Sequence, residues 1–222
     1  MLFVLLFLSV ILGYGIALLL KSKNTDKLNL LLAFSGAFLL SLTVFELLPE
    51  VFEEPSKAIG IWIMTGILLQ ICLEFFSKGA EHGHVHLHTK NKKFPWLLFI
   101  SLSIHAFLEG FPVAIDNTLL YGVLIHKIPI AIILSLFFIQ AQYSKTVTIS
   151  FLLLFALMTP LGNYLSEQIA LLKTYETEIS ALVIGIFLHV STTILFESSK
   201  DHKFNLAKMS VIVLATVCAY LL

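Results

Sequence analysis

The chain has 222 residues, of which 58% are apolar and only 13% charged, and its mean hydropathy is +0.95. Ordinary soluble domains carry about 25% charged residues, and a soluble fold of this length has no means of covering so much apolar surface, so the expected class is an all-α polytopic membrane protein. Net charge is zero, all fourteen basic residues are lysine, and no basic run interleaved with aromatics is present, which excludes a nucleic-acid partner.

Taken in order, the chain reads as eight apolar spans of about 17–25 residues in one transmembrane domain covering 1–222. The first, about 2–20, has no basic leader region and no small-residue cleavage site, and is read as an uncleaved helix. The second, about 28–50, ends in FELLPE and brings Glu46 into or near the membrane. The third is about 58–77. A polar stretch, 78–93, follows and contains EHGHVHLH. Spans four to eight are about 94–114, 119–140, 146–166, 179–197 and 204–221, the sixth interrupted by Pro160 and Gly162.

Lysines orient this bundle. Eleven of them (21, 23, 27, 78, 90, 92, 93, 145, 200, 203, 208) flank the odd-to-even connections, and only Lys57 and Lys173 lie on the other side. The positive-inside rule then puts 78–93 in the cytoplasm and both termini outside it, in a multi-pass protein of the cell membrane. Cys72 and Cys218 sit in apolar runs, form no CxxC pair and read as lipid- or helix-facing residues.

The chemistry concentrates in 101–130. A charged residue deep in hydrocarbon costs about 2.5–3.5 kcal/mol on insertion scales, yet span four carries His105 and Glu109, and span five His126 and Lys127. At i, i+4 His105 and Glu109 share a helix face. Imidazole nitrogen with carboxylate oxygen suits a divalent transition metal such as Zn²⁺, and the competing reading is a hydrogen-bonded structural pair. Pro112, one turn on, loosens the helix and frees carbonyls. His126 is expected to face this pair. Lys127 needs a counter-charge, and Glu109 or Glu46 can supply it; the alternative is an ammonium that snorkels to an interface. Glu46 reads equally as a ligand near one mouth of the path or as an interfacial carboxylate. His189, Thr192, Thr193 and Glu197 in span seven share that ambiguity, with an ordinary structural role favoured. In the 78–93 loop, His82, His84, His86 and His88 alternate and project to one side of an extended chain, a moderate, pH-dependent metal-binding tract.

Together these features resemble the ZIP family of divalent-metal transporters, whose helix four carries His-Asn-x-x-Asp/Glu-Gly; HAFLEG, 105–110, matches at His105, Glu109 and Gly110. HKIPI, 126–130, matches the helix-five pattern His-Glu-x-Pro-His/Glu at His126 and Pro129. ELLPE, 46–50, matches the end of helix two with Glu46 in place of histidine, and TPLGNYL, 159–165, resembles the Pro-Leu-Gly of helix six. Ala106, Lys127 and Ile130 stand where the family has asparagine, an acid, and His or Glu. The family's two-metal centre is therefore incomplete, and one reduced site of His105, Glu109 and His126, with Glu46 as a further candidate, remains.

What the resemblance implies is an eight-helix ZIP-like bundle, no enzyme activity, and alternating-access movement of metal toward the cytoplasm. Zn²⁺ is the expected ion, with Fe²⁺ and Mn²⁺ as alternatives. The expected partners are the metal ion, the lipid bilayer and, as a further candidate, a second copy in a homodimer. A non-transporting relative that binds metal as a sensor or partner is the second reading. An intramembrane metallohydrolase is the third, disfavoured because no HExxH motif or spare general base is present.

Overall fold

The computed structural model describes residues 2–20, 25–53, 56–77, 94–113, 117–197 and 206–222; the loop histidines 82, 84, 86 and 88 fall outside these, as does the rest of 78–93. Every expected span is a helix: α1 (Leu2–Leu20), α2 (Thr25–Leu42), α3 (Lys57–Ser77), α4 (Trp96–Leu108), α5 (Asn117–Gln140), α6 (Lys145–Gln168), α7 (Glu176–Glu197) and α8 (Leu206–Tyr220). Short pieces extend some of them: a π-helical turn Thr43–Leu47 and Leu48–Val51 after α2, Gly110–Val113 after α4, and Ala170–Thr174 between α6 and α7. Among the described residues, six helical stretches are long and apolar enough to cross a membrane, while the first and last apolar helices are shorter.

Polar backbone has no water to bond with in hydrocarbon, so a chain this apolar closes its hydrogen bonds inside helices. The outward faces then remain apolar. On α3, Ile61, Met64, Leu68 and Phe75 are 66%, 54%, 56% and 77% exposed, a surface suited to lipid and not to water.

The contacts sort the helices into two groups. α1 packs on α5 and α6, and α4 on α6; α3 packs on α7, and α2 on α7 and α8. The groups meet where α2 lies on α5 and α3 on α4. Lys208, read from the sequence as flanking the last span, lies inside α8, buried, with Nζ donating to the Leu195 carbonyl at 2.5 Å.

One close approach fixes where the site sits. A Cβ on Gly162 of α6 would collide with the Phe107 carbonyl, and one on Gly110 would collide with the Thr159 carbonyl. Small residues let helix backbones touch in this way. Gly162→Ala is therefore expected to force α4 and α6 apart at a cost of about 1–3 kcal/mol. Thermal unfolding in detergent checks this, and an unchanged midpoint would contradict it.

Candidate metal centre

α4 places His105 and Glu109 on one face by the i, i+4 rule, and Glu109 N–H still bonds the His105 carbonyl at 3.0 Å. The helix is interrupted at Glu109, three residues before Pro112. Pro112 has no N–H to offer the Leu108 carbonyl, and α4 ends at Leu108. In α5, His126 lies nine residues past Asn117, and in α4, His105 lies nine past Trp96. Each is thus about 14 Å along its helix, a length close to half of a roughly 30 Å hydrocarbon core.

The structure brings His105, Glu109 and His126 together, with one ligand-capable atom from each within 4.8 Å of the others. The two imidazole rings are 6.3 Å apart, centroid to centroid. All three side chains are buried, at 4%, 1% and 2% exposure.

Three neighbours define what this group can do. Lys127 donates from Nζ to Glu109 Oε2 at 2.9 Å, and its ammonium lies 4.9 Å from the Phe155 ring centroid. The buried ammonium thus has its counter-charge and a cation–π contact worth about 2 kcal/mol when desolvated. Thr159 donates to the Ala106 carbonyl at 2.7 Å and lies 3.4 Å from Glu109 Oε2. The other carboxylate oxygen, Glu109 Oε1, has no hydrogen-bond partner among the described residues. A buried acceptor left this way is costly, and an ion held by the two imidazoles would satisfy it. The carboxylate is therefore divided: Oε2 belongs to Lys127 and Thr159, and Oε1 is open to a ligand.

Gln70 of α3, fully buried, meets His105 Nδ1 with Oε1 at 3.1 Å. Nδ1–H donates in that geometry, which leaves Nε2 with its lone pair for a metal. Gln70→Leu removes this orienting bond and is expected to weaken metal binding by about 10–100-fold. Titration of the buried site with Zn²⁺ measures this, and wild-type affinity in the variant would contradict the assignment.

The remaining sequence candidates are elsewhere. Glu46 is exposed, on the π-helical turn, and is not in the group. Straight α-helical geometry would have stacked it over Leu42 and Leu39, both fully buried. The π turn adds one residue to that repeat, so Leu47 takes the buried place and Glu46 turns outward. His189 is also apart from the group: its Nε2 is 2.6 Å from Glu74 Oε2, both about one-fifth exposed. Thr192 and Thr193 donate to carbonyls of their own helix, and the side chain of Glu197 lies outside the described residues. Gln70, Glu74 and Thr159 were not singled out from the sequence. Gln70 and Glu74 did carry a signal, two polar residues one helical turn apart in an otherwise apolar span.

Comparison with characterised proteins bears on this arrangement. The chain is 24% identical over 155 residues to the zinc transporter ZIP1 of Danio rerio, covering 64% of this chain and 49% of that protein. It is 27% identical over 150 residues to the protein zntD of Dictyostelium discoideum, covering 58% and 22%, and 23% identical over 123 residues to zinc transporter ZIP1 of Takifugu rubripes, covering 50% and 41%. These similarities support a place in the ZIP family. The matches span about half, or less, of the length of these relatives. No protein-family model matches the sequence. The chain is a polytopic all-α membrane protein, and its group of two imidazoles and one carboxylate is a donor set suited to zinc.

Proposed function

We propose that this ZIP chain carries Zn²⁺ across the cell membrane toward the cytoplasm through a single-ion site made by His105 Nε2, Glu109 Oε1 and a ring nitrogen of His126. The observation that supports it most is the convergence of these three buried donors, on helices whose lengths would set them near mid-membrane depth. Secondary transporters hold their substrates at this depth, beside interrupted helices; the short helix after α4 carries Pro112, and α5 and α6 carry Pro129 and Pro160. Two histidines favour zinc over the harder Mn²⁺ and Fe²⁺, and three ligands bind more loosely than a closed four-ligand site, as release requires.

Lys127 stands as a fixed positive charge beside the ion. Before loading, the Lys127–Glu109 pair is neutral overall, so the loaded site carries the ion's full double charge. That charge is expensive in hydrocarbon, which limits affinity and favours onward movement. The His-rich loop, on this reading, is cytoplasmic and collects the released ion.

A second reading, a metal-binding relative that does not transport, draws on the same ion pair, because Lys127 occupies a carboxylate oxygen. Uptake of Zn²⁺ into proteoliposomes, wild type against His105→Ala, separates the two.

A further inference from the structure

Asn163 of α6 is fully buried, yet neither its side-chain oxygen nor its side-chain nitrogen has a hydrogen-bond partner among the described residues. An amide can make several hydrogen bonds, and burying one with none made is unfavourable. A group of this kind in a native interior calls for a specific explanation.

Its place in the fold supplies one. Thr159, Asn163 and Ser166 lie at i, i+4 and i+7 on α6 and so form one stripe. Thr159 touches Glu109 Oε2 at the inner end of this stripe. At the outer end, Ser166 donates to the Asn163 carbonyl at 2.7 Å and lines a pocket of about 280 Å³ with Phe111, Glu167, Lys173, Glu176 and Ser180. The same order holds along α4. Glu109 is followed by Gly110, where a Cβ would meet Asn163 N at 2.8 Å, and then by Phe111 of the pocket. By both helices Asn163 stands between the buried site and a pocket carrying two carboxylates against one ammonium. This pocket is at the end where α4 and α6 finish and α7 begins, the end away from Trp96.

We propose that Asn163 is a transit ligand for a divalent cation: its amide oxygen replaces part of the ion's hydration shell as the ion passes between this pocket and His105, Glu109 and His126. The inference rests on the metal-site reading above and adds a path to it. An amide oxygen is neutral, so it desolvates the ion without trapping it. No bond is made or broken beyond exchange of coordinated water for the amide oxygen.

The test is the association rate of Co²⁺ with the full chain in lipid nanodiscs, followed by stopped-flow visible absorption. The central-site signal is the part that disappears in His105→Ala. Asn163→Leu and Asn163→Ala are each expected to slow association and dissociation about tenfold while leaving the dissociation constant within twofold. Asn163→Asp, which keeps an oxygen there, is expected to associate at least as fast as wild type. If the leucine variant does not fold, the alanine variant carries the comparison. Wild-type association in the alanine variant, with only its thermal stability lowered, would show that Asn163 holds a structural water and would overturn the inference. Absence of any His105-dependent signal in the wild type would instead overturn the metal-site reading, and this inference with it.

Discussion

Lys127→Met is expected to bind Zn²⁺ at least about tenfold more tightly than the wild type, while its ion-free form loses about 3–5 kcal/mol of stability. The lysine and Glu109 are paired at 2.9 Å with both side chains almost wholly buried. Removing one member of such a pair leaves the other charge uncompensated, and that accounts for the stability lost. An arriving divalent ion supplies the missing positive charge, so the loaded protein does not suffer the same loss, and the difference appears as affinity. A tenfold gain needs only about 1.4 kcal/mol of that difference, which allows for protonation of Glu109 relieving part of the rest. Calorimetric titration and thermal unfolding, each with and without Zn²⁺, measure the two quantities. Unchanged affinity and unchanged stability together would rule out the fixed-charge role. The same variant also bears on the two functional readings. If Lys127 aids release, its loss slows uptake even as binding tightens. If Lys127 blocks a degenerate site, its loss starts uptake that the wild type lacks.

His105→Ala is expected to have the larger effect on the ion itself. Loss of a residue that merely orients a ligand costs 10–100-fold in metal affinity, so loss of one ligand of three should exceed about 100-fold. The two ligands left, Glu109 and His126, come from different helices, and Oε2 of Glu109 is already taken by Lys127. The alanine also removes the Nδ1 partner of Gln70 Oε1 and leaves a void between α3 and α4. A matched unfolding measurement is therefore needed to separate lost binding from lost fold.

Much of this centre was legible because membrane helices make rare polar residues informative. A histidine and a carboxylate four apart in an apolar span have to share a face, and the structure sets them beside His126 and Lys127 of the next span. The choice of Glu109 over Glu46 as the lysine's partner was not legible. It depends on the π turn at Thr43–Leu47, which moves Glu46 off the buried stripe that regular α-helical spacing assigns to it. Gln70 and Asn163 were missed for a different reason. Neither residue is ionisable, so neither carries the insertion cost that draws attention to a charge. Beyond the polar spacing of Gln70 and Glu74, what ties them to the site is the partner at His105 in one case and the lack of any among the described residues in the other, and both depend on tertiary packing. The eight spans followed from hydropathy alone, and each is a helix among the described residues.

Uptake of Zn²⁺ into proteoliposomes, wild type beside His105→Ala, tests the central claim most directly. The account predicts saturable uptake by the wild type and background uptake by a folded His105→Ala protein. Equal uptake by both would contradict a path through His105, Glu109 and His126. No uptake by either, with Zn²⁺ still bound at the buried site, would contradict transport and leave a metal-binding ZIP relative.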